Sequence, residues 1–239
     1  SDVPPEPESV TSLLAAHVFD RPVAVELDDR LPPILAETLA EFKNVTIVQG
    51  DAMVLDLPAL LEEHFAGMPV VVCANLPYYI TSPIIMRLLE GPLPIRSLTV
   101  MVQKEAAVRI TGAPGRREGG AISAAVWYYS TPKLLFPVSR GSFLPAPAVD
   151  SAVIRLDLPQ ELPEDLPPRE DFFAVVRAGF GQRRKTMLNS LSAGLRWEKD
   201  ATRALLTAAG IAENARAEQV TLEQWKALTR AYFSMKKSR

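Results

Sequence analysis

The apolar run Val70-Val71-Val72-Cys73 leads without a break into Ala74-Asn75-Leu76-Pro77-Tyr78-Tyr79, and this junction constrains the fold more than any other stretch. Consecutive β-favouring residues that end in Asn-Leu-Pro-Tyr read as a buried parallel strand with a polar, conformationally fixed tip. Open α/β sheets place ligands outside the carboxyl ends of their strands, so the tip falls where chemistry is expected. Its residues suit one task. An amide and backbone carbonyls can grip an amino group, and an aromatic ring can stack on a flat base. That combination points to methylation of an exocyclic amine on a nucleobase.

The rest of the first 160 residues supplies the sheet such a tip requires. Arg21 to Leu27 reads as a strand, Arg30 to Phe42 as a helix with Pro32 and Pro33 in its first turn, and Asn44 to Gln49 as a second strand. Leu57 to Phe65 is helical, Val70 to Ala74 is the third strand, and Thr81 to Glu90 is a helix stopped by Gly91-Pro92. Ser97 to Val102 is a strand, with a helix near Lys104 to Thr111. Strands near Leu134 to Val138 and Ser151 to Leu158 flank Phe143-Leu144-Pro145-Ala146-Pro147, whose prolines hold an extended loop. The alternation predicts a doubly wound, mostly parallel α/β sheet over residues 1–160. Gly112 to Gly120 is a loop without the Gly-Lys-Ser/Thr ending of a phosphate-binding loop and receives no nucleotide role.

Proline-rich Pro159 to Pro168 reads as a linker. The pattern beyond it is helical: Asp171 to Phe180, Arg183 to Ser192, Lys199 to Ala209 and Leu222 to Met235. Residues 161–239 are therefore expected to form a small all-helical domain, with Phe172, Phe173, Val176 and Phe180 in its core. Charge divides along the same line. Residues 1–168 carry 12 Lys+Arg against 21 Asp+Glu, and residues 169–239 carry 14 against 7. An acidic domain joined to a basic one suggests that the basic one meets phosphate. Arg183, Arg184 and Lys185, read on a helix with Asn189 one turn on, are the candidate phosphate contacts.

One cysteine, Cys73, excludes an internal disulfide, and two distant histidines leave no zinc site to expect. Cys73 is expected to pack inside the strand, and the cysteine usage suits a cytoplasmic protein. No apolar run approaches the ~20 residues of a membrane span. The acidic, proline-rich start, Ser1 to Glu8, does not read as a signal peptide. No heptads or broad apolar stripes appear, so a monomer is expected.

Two acids lie at successive strand tips. Glu26 suits the hydroxyls of a ribose, and Asp51 suits the amino group of an adenine. With Asn75 at a third tip they outline a nucleoside site. Asp28, Asp29 and Asp56 read as surface charge, and Tyr79 as packing.

Six blocks then occur in the order and spacing of one family: Val25 to Asp28, Gln49 to Ala52, Asn75 to Tyr78, Val102 to Glu105, Phe143 to Ser151, and Phe180 to Thr186. Over residues 11–239 the chain resembles the rRNA adenine N6,N6-dimethyltransferases, most closely their small-subunit (KsgA/RsmA) branch. The resemblance implies a Rossmann-like sheet that binds S-adenosylmethionine (SAM), Glu26 with Leu27 on its ribose and Asp51 with Ala52 on its adenine. Asn75, Leu76, Pro77 and Tyr78 would form the catalytic tip, with Asn75 also beside the cofactor, and Phe143 would stack on the target base with Tyr78. The implied substrate is a pair of adjacent adenines in the 3′-terminal hairpin of small-subunit rRNA, met in the pre-30S particle.

The family also carries a Gln-Asn-Phe-Leu block and a Glu-x-Gly-x-Gly-x-Gly strand-loop ahead of the position matching Thr11, and neither stands here. Such a loop lets the methionine part of SAM approach bare backbone, and its strand belongs in the middle of the sheet. The expectation is that about 40 residues bearing it are mobile and absent from this sequence. A regular Cα spacing of ~3.8 Å over residues 1–15 would contradict that. Two other functions compete: a non-catalytic rRNA-binding assembly factor, and an adenine methyltransferase of large-subunit rRNA or DNA.

Overall fold

The computed structural model describes residues 20–91, 93–116, 119–144, 146–159, 168–182 and 184–238. The leader and the Cα-spacing test on residues 1–15, the body of the linker, Pro145 and Arg183 lie outside them. The chain divides into two units, residues 1–67 and 68–239.

In the first unit, β1 (Val23–Glu26) pairs in parallel with β2 (Thr46–Gln49), Glu26 opposite Gln49. Helix α1 (Leu31–Thr38) connects them, with its prolines in the first turn. Helix α2 (Leu57–Phe65) follows, its N-terminus capped by the Asp56 carboxylate, which accepts from Ala59 N at 3.1 Å. It ends where Ala66 turns left-handed, at φ 47°. Asp28, expected to be bare surface charge, is held by Arg30 at 2.6 Å, and the guanidinium pulls its carboxyl pKa down to about 2.

The second unit carries a mixed sheet of order β3-β4-β6-β5. Strand β3 (Val70–Asn75) runs parallel to β4 (Ile95–Gln103), and β6 (Ser151–Asp157) runs antiparallel to both β4 and β5 (Thr131–Val138). This sheet is mixed, where the strand–helix alternation predicts a mostly parallel one. The antiparallel turn arises because β5 enters β6 through the Phe143 loop without a crossover helix.

Leu98, Val100 and Val102 of β4 and Ala152, Ile154 and Leu156 of β6 are fully buried on one face, each contributing roughly 1.5–3 kcal/mol for the larger side chains. Helices α3 (Thr81–Glu90), α4 (Lys104–Thr111) and α5 (Ala121–Tyr129) belong to this unit. The opposite pleat carries Val71, Cys73 and Asn75, all exposed. Cys73 is therefore not buried packing, contrary to expectation, although partial desolvation raises its thiol pKa.

The C-terminal helices α6 (Arg169–Phe180), α7 (Met187–Leu195), α8 (Lys199–Ala208) and α9 (Leu222–Lys237) complete the unit. Phe172 and Phe173 are buried against Tyr128 and Tyr129 of α5, the Tyr128–Phe172 ring centroids 3.8 Å apart. The Arg169 guanidinium lies 4.6 Å over the Tyr129 ring. Val176 is buried as expected, and Phe180 stacks on the buried Trp225. A Cβ on Gly194 would come within 2.5 Å of the Ala178 side chain, so glycine is what lets α7 approach α6.

Candidate active site

The tip of β3 is built by four hydrogen bonds. Leu76 N donates to Met101 O at 3.2 Å, extending the β3–β4 ladder one residue past the strand. Leu76 itself is buried and pins the tip to the core. Pro77 then turns the chain. Its carbonyl accepts from Ile80 N at 3.1 Å and from the Thr81 hydroxyl at 3.1 Å, starting α3. Tyr78 is half-buried, and its phenol meets the Ser151 hydroxyl at 2.8 Å. Asn75 is left exposed at the carboxyl end of the strand. Tyr79, expected to pack, is 78% exposed: the turn at Pro77 points it away from the core.

The geometry separates two groups that sequence treats alike. Both lone pairs of Pro77 O are taken by the turn, so Pro77 is a shaping residue. The Leu76 carbonyl and the Asn75 side-chain oxygen are the acceptors the tip has to offer.

The Phe143 loop hangs between β5 and β6 in the same unit. A one-turn helix, Arg140–Ser142, opens it, and Phe143 N donates to Arg140 O at 3.3 Å. The Asp150 carboxylate closes it by accepting from Arg140 N at 3.0 Å, while Asp150 O accepts from Lys104 N at 3.0 Å. Phe143 is half-buried and Leu144 stands fully exposed beside it. Asp150 and Ser151 were not singled out from sequence. The available signal was a polar pair opening the otherwise apolar strand Ala152-Val153-Ile154.

In the first unit, Glu26 ends β1 and Asp51 stands two residues past the end of the adjacent parallel strand β2. One Glu26 oxygen accepts from Asp28 N at 2.8 Å, and one Asp51 oxygen accepts from Met53 N at 2.7 Å. These turn bonds fix each carboxylate and leave it a second oxygen. Two half-buried, oriented acceptors fit the ribose and adenine of a nucleoside. Ala52 is half-buried and Leu27 is 57% exposed beside them.

Arg184 and Lys185 are exposed, but they lie in the turn before α7 and not on the helix expected from Arg183 onward. Thr186 is the reason. Its hydroxyl caps the helix by accepting from Asn189 N at 3.5 Å, so the helix starts at Met187. Arg183 lies outside the described residues. Among the described residues there is no group of three or more His, Cys, Asp or Glu placed to hold a metal, and no helix long and apolar enough to cross a membrane.

In each unit a polar side chain stands at the carboxyl end of a parallel strand, and a helical region follows the second unit's sheet, which defines the class as Rossmann-like α/β. Two solved structures share the fold. The 23S rRNA methyltransferase ErmE aligns with a TM-score of 0.63 at 28% identity, over 93% of this chain and 85% of that one. A dimethyladenosine transferase from Plasmodium falciparum aligns with a TM-score of 0.67 at 20% identity, over 87% of this chain and 80% of that one. The family model for ribosomal RNA adenine dimethylase matches residues 3–232, and the chain belongs to that family. Proteins named ribosomal RNA small subunit methyltransferase A are 48% identical over 229 residues in Alkaliphilus oremlandii and 39% identical over 228 residues in Oceanobacillus iheyensis. These matches cover 95% and 94% of this chain, and 79% and 77% of the relatives.

Proposed function

We propose that this chain transfers methyl groups from SAM to the N6 amino groups of two adjacent adenines in the 3′-terminal hairpin of small-subunit rRNA, during assembly of the small subunit. The observation that carries this reading is the Asn75–Tyr78 tip, held at a strand end with its acceptors outward, in a chain of the dimethylase family. The small-subunit names of its relatives favour that rRNA over the large-subunit one.

An adenine amino group is a poor nucleophile because its lone pair is delocalised into the ring. The Asn75 side-chain oxygen and the Leu76 carbonyl accept hydrogen bonds from its two N–H groups, which favours a pyramidal nitrogen and aims the lone pair, and the N6 proton displaced on transfer passes to water. Positioning then accounts for much of the rate. The chemistry that SAM supplies when bound is a methyl group made electrophilic by its sulfonium. Glu26 would hold its ribose with Leu27, and Asp51 its adenine with Ala52. This route uses no metal and no covalent enzyme intermediate.

The target adenine leaves its stack to reach the tip, and Tyr78 and Phe143 hold it between ring faces. Arg184 and Lys185, with Arg183, meet RNA phosphates. In this reading residues 1–160 carry the chemistry, residues 161–239 carry the RNA-facing helices, and the protein works as a cytoplasmic monomer on the pre-30S particle.

The test is transfer of labelled methyl from SAM to small subunits lacking adenine dimethylation, with large subunits alongside. Label recovered as dimethyladenine in small-subunit rRNA is the expected result. Binding to small subunits without transfer would identify an assembly factor instead, and label in the large subunit would redirect the substrate.

A further inference from the structure

Tyr78 and Ser151 are 73 residues apart in sequence, yet their hydroxyls meet at 2.8 Å. Ser151 is fully buried and opens β6, paired on one side with Gln103 and on the other with Val138. It is thus locked by backbone on both edges. The preceding residue, Asp150, closes the Phe143 loop through Arg140 N and is itself tied to Lys104 N. One dipeptide therefore touches both aromatic elements of the candidate site.

A phenyl ring stacks on a base as well as a phenol does, so stacking alone gives no use for the Tyr78 hydroxyl. The hydroxyl fixes the direction of the ring. A half-buried tyrosine without it is free to swing about χ1 and to choose among rotamers. Anchored to a strand paired on both sides, it holds one ring plane. We infer that Ser151 is a positioning residue for methyl transfer: it fixes the plane of Tyr78 relative to the Phe143 loop, so that the two rings receive the target base in one orientation. This rests on the proposed function of the Asn75–Tyr78 tip. A base gripped loosely would still bind but would present its amino group to the acceptors in fewer encounters, so the loss falls on turnover.

Three variants test it: Ser151→Ala, Tyr78→Phe and the double variant, assayed by methyl transfer to undermethylated small subunits. Tyr78→Phe removes the same bond from the half-exposed side, so the test survives if the buried substitution harms folding. Each single variant should lower kcat about fivefold, the effect of one hydrogen bond of ordinary strength. KM for the subunit should stay within about twofold, and the double variant should be no slower than the slower single one. Independently of activity, 13C-tyrosine NMR should show Ser151→Ala moving the Tyr78 ring signals while the other tyrosines hold theirs. Wild-type kcat in Ser151→Ala, multiplying losses in the double variant, or unmoved Tyr78 signals would each overturn the inference and leave the methyltransferase reading intact. A wild-type protein that transfers no methyl would overturn that reading, and this inference with it.

Discussion

The two units differ in how their strands are buried. In residues 68–239 the central strands β4 and β6 bury Leu98, Val100, Val102, Ile154 and Leu156 almost completely, and the helices add Ile85, Leu89, Phe172 and Trp225. In residues 1–67 only Leu39 and Leu57 are buried among the described apolar side chains, and both strands are half-exposed along their length. An isolated pair of strands is marginal in water, whereas a four-stranded sheet with a packed face is not. The contrast maps onto chemistry. The groups proposed for the target base and RNA stand on the well-packed unit, and the groups proposed for the nucleoside stand on the thin one. A lightly built unit that binds a nucleoside should gain stability when it does so.

The largest effect expected is on stability, and it should differ sharply between units. Leu98→Ala empties a fully buried position and should cost about 3–5 kcal/mol. Val25→Ala removes a half-buried side chain in β1 and should cost less than about 1 kcal/mol. Denaturant unfolding of both variants measures this. Equal losses would mean that β1 is as well packed as β4 and would remove the contrast.

Next comes turnover. Asn75→Ala deletes the acceptor proposed for the transition state on the well-packed unit and should lower kcat by about 10²–10³-fold, the scale of one preorganised polar contact. Affinity for small subunits should barely change. Comparable losses in rate and in binding would assign Asn75 to RNA contact. Smaller still, Glu26→Gln should weaken SAM binding about tenfold by removing a charged acceptor while leaving subunit binding intact. Isothermal titration with SAM alone reads the first number, and a filter-binding titration reads the second.

What could be read from sequence follows the strength of local punctuation. Helices α2, α3 and α4 begin and end where they were expected. Asp56 caps one, Gly91 stops the next and Gly112 stops the third. Helix α5 was missed because Ile122 to Tyr129 is apolar nearly all round and buried on nearly every side, which erases the 3.6-residue period. The sequence reads Arg184 and Lys185 on a helix, yet the Thr186 cap one residue later starts that helix after them. Strand direction was beyond reach, since it depends on how β5 returns to β6. The tip residues Asn75 to Tyr78 were legible because each is special locally. Ser151 and Asp150 were not, because what they do is set by partners far away in the chain.

Ion pairs give the same comparison at its finest scale and the smallest effects. Arg30 and Asp28 in the first unit form a 2.6 Å pair with side chains 82% and 31% exposed. Lys236 reaches Asp171 in the second unit at 2.7 Å, and that carboxylate is 3% exposed. Removing Arg30 leaves a carboxylate that water solvates readily, so Arg30→Ala should not shift the melting temperature at neutral pH. Removing Lys236 leaves a buried carboxylate uncompensated, so Lys236→Ala should lower it by a few degrees. The pH dependences run in opposite senses. Asp28 is depressed to about 2, so whatever its pair contributes is present above the ordinary carboxylate range and lost as pH falls through about 2. Lys236 is raised by Asp171, so its contribution is full below the ordinary lysine pKa of ~10.4 and fades as pH rises past it. In melting curves from pH 2 to 11 the Lys236→Ala deficit should close at the alkaline end, and any Arg30→Ala deficit at the acid end. A Lys236→Ala protein that melts like wild type at pH 7 would mean that Asp171 finds water or another donor, and that the second unit is less tightly closed around its C-terminal helix than its apolar core implies.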